Sequence, residues 1–223
     1  MKKKQISLNN PAVTKFFEDV FPILINESDR GAVLLAVSQI DIALEEALKS
    51  VSPPNMTQKK LKQIFDYSGP LGTLAARTSM AYFFRIINKD VCDAVHCLRQ
   101  IRNKVSHECK TFSFESCSDD VEKFYDFGSN IPETVNKIAI ELMMKSMLES
   151  ALEIKDPRSS DESKLFKEPK EILEYLQRNP KYYETFEKEL PKWKLAIGTA
   201  LICGLLYYGA GKMNEVLGQK ETF

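Results

Sequence analysis

The residues best able to do chemistry fall in one short run, Arg102-Asn103-Lys104-Val105-Ser106-His107. A histidine titrates near neutral pH and can give or take a proton. An arginine fork can hold a phosphate and stabilise developing negative charge. Arg102 and His107 are five residues apart, which on a regular helix sets them about 140° apart around the axis. They converge on one substrate only if the helix loosens near Ser106 or if two protomers each contribute a residue. A structural reading competes: at a helix C-terminus, Asn103 and His107 can cap carbonyls and face the negative end of the dipole.

Cys92, His96, Cys97, His107, Cys109 and Cys117 crowd the same stretch. Cys92 and His96 are one helical turn apart and could share a metal ion. However, there is no Cys-x-x-Cys pair and the gaps fit no structural zinc pattern. Small buried thiols are the expectation, with neither metal nor cofactor. Gly209-Ala-Gly-Lys212 lacks the leading glycine, the spacing and the following Ser/Thr of a phosphate loop. Lys59-Lys60-Leu61-Lys62 reads as a solvated basic turn.

Three charged residues occupy otherwise apolar helix stripes: Asp41, Arg77 and Arg102. An isolated buried charge costs several kcal/mol unless it is paired. The expectation is a buried ionic network in which Asp41 pairs with at least one of the two arginines. The alternative is that the arginines snorkel at the stripe edge.

These residues need helices to hold them, and helical periodicity dominates from about Thr14 to Ile154. Ser28 is placed to cap a helix with the stripe Leu34, Val37, Asp41, Leu44, Leu48, and Ser52-Pro53-Pro54 stops it. A short helix over Thr57–Phe65 follows. Ser68-Gly69-Pro70 opens a second long helix with the stripe Leu74, Arg77, Ala81, Phe84, closed by Asn88. Asp90 is placed to cap a third, with the stripe Val91, Val95, Leu98, Arg102, Val105. Thr111-Phe-Ser-Phe-Glu115 reads as an extended connector. A fourth long helix starts near Pro132 and runs to Ile154.

The composition bounds the function. The chain has 223 residues, with 31 Lys+Arg against 31 Asp+Glu, which argues against a broadly basic nucleic-acid binder while leaving room for a local patch. At 43% hydrophobic and 28% charged it can bury a real core. Nine glycines and ten prolines are too few for a turn-rich sandwich or propeller. Five cysteines and no secretory signal suggest reduced thiols in the cytoplasm.

Three blocks together resemble the mannitol operon repressor (MltR) family over roughly residues 12–154. They are Ser28-Asp29-Arg30-Gly31, the Pro70-Leu71-Gly72…Ala76-Arg77 segment, and Ile101-Arg102-Asn103…His107. The resemblance implies an all-helical bundle that regulates transcription without a recognisable helix-turn-helix, with Asp29, Arg30 and Gly72 as family-motif positions. No basic recognition helix stands out in this chain. The Arg102-Asn103-x-x-x-His107 run is also similar to the signature of HEPN domains. That likeness implies metal-independent RNA cleavage by Arg102 and His107, often across a dimer interface, with Asn103 orienting the site. Many HEPN relatives are binding modules only.

Beyond Lys155 the texture changes to a charged segment punctuated by Pro157, Pro169, Pro180 and Pro191, read as a helical connector. Leu195–Gly211 then runs 17 residues without a charge. At ~1.5 Å per residue this is about 25 Å of helix, slightly short of a ~30 Å hydrocarbon core. As a membrane anchor, the favoured reading, it has Lys192, Trp193 and Lys194 at one interface and Tyr207, Tyr208 and Lys212 at the other. The competing reading buries it against the bundle or in a dimer.

The expected architecture is therefore all-α: an antiparallel helical bundle (1–154), a charged helical linker (155–191) and a C-terminal hydrophobic helix with its tail (192–223). The expected role is a regulatory or interaction protein acting through protein contacts as a homodimer. Its bundle would be cytoplasmic, tail-anchored to a membrane if Leu195–Gly211 spans one. RNA is a partner only on the nuclease reading, and direct DNA contact is not expected.

Overall fold

The computed structural model describes residues 11–107, 112–157 and 163–218. Helix α1 (Pro11–Lys15) passes through a π-helical turn (Phe16–Val20) into α2 (Phe21–Asn26). The Ser28 hydroxyl then accepts from the Gly31 amide at 3.1 Å and starts α3 (Asp29–Ser50), satisfying one of the amides a helix start leaves open. The Thr57 and Thr73 hydroxyls do the same for α4 (Gln58–Phe65) and α5 (Leu74–Phe83). Thr73, rather than Ser68, therefore begins the helix that carries Arg77.

The turn out of α5 closes as a Schellman motif. Arg85 has a φ of 59°, its amide donates to Tyr82 O, and the Ile86 amide donates to Ala81 O. A glycine usually takes this left-handed position. Asn88, expected to end α5, instead caps α6 (Lys89–His107), its Oδ1 accepting from the Val91 amide at 2.9 Å. A 3-10 turn (Phe114–Cys117) lies where an extended connector was expected. It leads to α7 (Ser118–Phe124) and α8 (Ile131–Leu152), which carries Pro132 in its first turn. Helix α9 (Pro169–Arg178) precedes α10 (Lys181–Val216), which runs unbroken through Pro191. Position 191/192, where the linker was expected to give way to the apolar helix, lies inside α10. Among the described residues there is no strand, only an isolated bridge between Lys155 and Lys164.

The core is built around α3 and α10, the most extensive helix pair. Lys192 meets Asp29 at 3.6 Å and the Tyr207 hydroxyl meets Glu46 at 2.5 Å, so the two helices run parallel. The buried face of α3 carries Ala32, Ala36, Ala43 and Ala47 among larger aliphatics. These small side chains let α10 come close. Leu34, expected to face inward, is 43% exposed. Leu44 and Leu48 of the expected stripe are buried and Val37 packs against the core, so only its first residue turns to the surface, while alanines fill the rest of the buried face.

The apolar stretch Leu195–Ala210 is buried for most of its length among α3, α8 and the N-terminal helices, with Tyr208 at the surface. Phe21 meets Trp193 edge-on at 5.4 Å between centroids. Gly209 lies against the Ile86 carbonyl so closely that a Cβ there would sit 1.9 Å from its oxygen. By length and composition α10 is long and apolar enough to cross a membrane, and 67% of its most apolar window is buried within the chain.

Candidate functional site

Arg77 stands at the centre of a buried ionic cluster. Its Nη1 is 2.8 Å from Asp41 Oδ1 and its Nη2 is 2.7 Å from Glu45 Oε2. The Asp41 contact is a charge pairing rather than an aligned hydrogen bond, since that oxygen accepts none. Arg77 Nε donates to Leu71 O at 2.8 Å, Nη2 donates to Phe65 O at 3.1 Å, and the guanidinium lies 5.8 Å from the Phe65 ring centroid. Gly72 explains how those carbonyls reach it. A Cβ at Gly72 would fall 2.3 Å from Asp66 O, so only glycine lets this loop double back on itself.

The structure brings Asp41 and Arg77 together but does not bring Arg102 to them. Arg102 is exposed, and its Nη1 donates to Asn103 Oδ1 at 3.1 Å. The buried seam of α6 swings to Ile101 and Val105, on the side where Cys97 Sγ donates to Asp120 O and Lys104 pairs with Asp120. Arg102 is therefore left off the seam, even though the 3-4 spacing of the stripe includes it. His107 ends α6, and its side chain lies outside the described residues, as does Cys109.

A second buried cation was not anticipated as such. The Lys192 side chain is 8% exposed and lies 3.0 Å from Glu189 as well as facing Asp29. Asp29 Oδ2 also accepts from the Phe114 amide at 3.0 Å. Asp29 thus ties the start of α3 to α10 and to the 3-10 turn. Arg30, next to it, is half-buried. The available signal was the presence of Lys192 beside an apolar run, which also fits a headgroup anchor.

An open cleft of about 710 Å³ lies between the N-terminal helices, α3 and α10, lined by Phe16, Asp19, Gln39, Glu46, Cys203 and Tyr207 among others. Burial, then the bond to Glu46, holds the Tyr207 phenol above its ordinary range. Burial pushes the Cys203 thiol up to about 12. Burial likewise raises Cys92 and Cys97, so none of these three thiols is set up as a nucleophile near neutral pH. Among the described residues no group of three or more His, Cys, Asp or Glu could hold a metal ion.

One surface feature went unread in the sequence. Tyr82, Phe83 and Phe84 are all exposed around the Arg85 turn, Phe83 by 77%, with the two phenylalanine rings 5.6 Å apart.

Fold and ionic clusters together define an all-α bundle wrapped around a buried apolar helix and fixed by two buried cations. No family model matches the chain, and no curated protein matches it by sequence. Its fold is similar to that of a chain in the X-ray structure of the MtlR–HPr complex from Escherichia coli. The TM-score is 0.53 at 13% identity, over 88% of this chain and 99% of that one. The likeness establishes a shared all-helical fold.

Proposed function

We propose that this chain is a regulatory interaction module that binds another protein, with no chemistry of its own and no direct contact with DNA. The observation that carries the reading is the exposed Tyr82-Phe83-Phe84 turn. Its backbone is pinned by the Schellman bonds, so it presents aromatic rings at little entropic cost. The solved neighbour was crystallised with HPr, which supports a protein partner of that kind. On this reading the bundle is cytoplasmic and α10 stays within its core.

Calorimetric titration of E. coli HPr into the full chain tests the proposal. Binding that weakens tenfold or more in Phe83→Ala would support it, tenfold being roughly the ~1.4 kcal/mol expected of a contact residue that matters. No binding, or binding indifferent to Phe83→Ala, would reject it.

The second reading is a HEPN-type metal-independent endoribonuclease using Arg102, Asn103 and His107. It is favoured by the exposure of Arg102 and Asn103 side by side on the last turns of α6. Incubation with RNA in chelator, beside His107→Ala, tests it: equal cleavage by both proteins, or none by either, removes the enzyme reading.

A further inference from the structure

Helix α3 exposes a single row. Leu34, Ser38, Ile42 and Glu46 are its exposed residues, each four after the last, and every other position is buried or half-buried. The two aliphatics are 43% and 47% exposed. A lone exposed aliphatic is ordinary. Here two of them flank a small serine along the i±4 ridge that helices use to pack against one another.

The row extends at its lower end to Arg30, half-buried one turn before Leu34. Its order is then cation, aliphatic, serine, aliphatic, carboxylate. Reversed about Ser38, it sets Leu34 opposite Ile42 and Arg30 opposite Glu46. We propose that a second copy of this chain docks on this row, α3 crossing α3 at Ser38 about a two-fold axis. A two-fold contact requires one surface patch to complement itself, and the reversal symmetry of this row meets that requirement in both shape and charge. A different partner would need no such symmetry.

The helix geometry permits the contact. Interdigitated i±4 ridges cross at about 50° with axes roughly 8–10 Å apart, and serine is small enough to sit at the crossing. Arg30 and Glu46 each lie eight residues from Ser38, about 12 Å along the axis, where long side chains still reach across. Glu46 Oε2 holds the Tyr207 hydroxyl, and its Oε1 is offered to Arg30 of the second copy, whose five-donor guanidinium can take this acceptor beside the contact it has within its own chain. The inference deepens the reading of the chain as an interaction module. Its test contains no HPr, so either idea can fail without the other.

The test is sedimentation velocity of the full chain over a wide concentration range, with Ser38→Arg and Ser38→Cys beside the parent. Ser38 is exposed, so both variants keep the fold, which circular dichroism checks. The parent is expected to sediment as a dimer. Ser38→Arg sets two like charges on the axis and weakens the dimer by roughly a hundredfold or more. Ser38→Cys brings two thiols within disulfide reach, and copper-phenanthroline oxidation yields a linked dimer. Phe83→Cys, on the aromatic turn, is the control and stays unlinked. A monomeric parent, a dimer undiminished by Ser38→Arg, or equal linking through Phe83→Cys would each overturn the proposal.

Discussion

Lys192 places its ammonium 3.6 Å from the Asp29 carboxylate, across the seam between the first long helix and the apolar last one. A residue positioned to meet lipid headgroups thereby meets a carboxylate of its own chain. Asp29 has a second task, accepting from the Phe114 amide. Asp29→Ala is therefore expected to destabilise the fold by about 2–4 kcal/mol, since it strands the Phe114 amide and leaves the buried cation with Glu189 alone. Lys192→Met is expected to be milder, because Asp29 keeps the Phe114 amide and some solvent. Urea denaturation measures both, and the reverse order would contradict the assignment.

Arg77 answers to two carboxylates, which makes its loss and theirs unequal. Arg77→Met strands Asp41 and two carbonyls and leaves Glu45 to Lys49 alone, and is expected to cost roughly 3–5 kcal/mol. Asp41→Asn leaves Glu45 in place. About 1–2 kcal/mol is expected, discounted because Asp41 is partly solvated. Melting temperatures of the two variants give the comparison; equal shifts would mean the cluster does not share its charge in this way.

Gly209→Ala sets two effects against each other. Alanine in mid-helix gains about 1 kcal/mol of propensity over glycine. The new Cβ would lie 1.9 Å from the Ile86 carbonyl, and backbone on both sides leaves nothing flexible to yield. Overpacking of about 1–3 kcal/mol or more should win, so net destabilisation is expected in chemical denaturation. A stabilised variant would show that α10 and the α5–α6 turn do not meet as described.

Cys203 carries a pH signature. Folding raises its thiol from 9.0 to about 12, so between those values the unfolded chain has lost a proton that the native chain keeps. Stability conferred below pH 9 is then lost as pH rises towards 12, by up to about 1.4 kcal/mol per pH unit. The Cys203→Ala variant should show a shallower decline over that window, while the raised Tyr207 phenol keeps part of the slope. An unchanged slope would place Cys203 in contact with water.

Burial of Leu195–Ala210 within the bundle leads to an expectation for membranes as well. After alkaline carbonate treatment of cells, the chain should be released with the soluble fraction. Retention in the pellet would mean that α10 leaves the core for lipid.

Helix positions were largely legible in the sequence because caps and breakers act within a turn. Ser28, Thr57 and Pro132 sit where local backbone chemistry needs them, and Ser52-Pro53-Pro54 ends α3 whatever else surrounds it. The cap of α6 was misplaced by two residues because Asn88 and Asp90 offer the same side-chain acceptor. Of the stripe charges, Asp41 and Arg77 were recognisable as a pair, whereas Glu45 lies one turn further along and had no reason to stand out.

The amino-acid order by itself determined that the chain is helical, where most helices begin and end, and that charges on apolar stripes would need partners. It did so because hydrogen bonding, capping and periodicity are settled among residues a few positions apart. Only the tertiary structure decided that Arg77 is enclosed while Arg102 faces water, that Leu34 faces out while alanines beside Leu44 and Leu48 line the buried face of α3, and that the apolar tail helix lies in the core. Those outcomes depend on which surface approaches which across more than a hundred residues of chain, as Lys192 meets Asp29 and Tyr207 meets Glu46. Burial is a property of the pair in contact, and no single segment carries it.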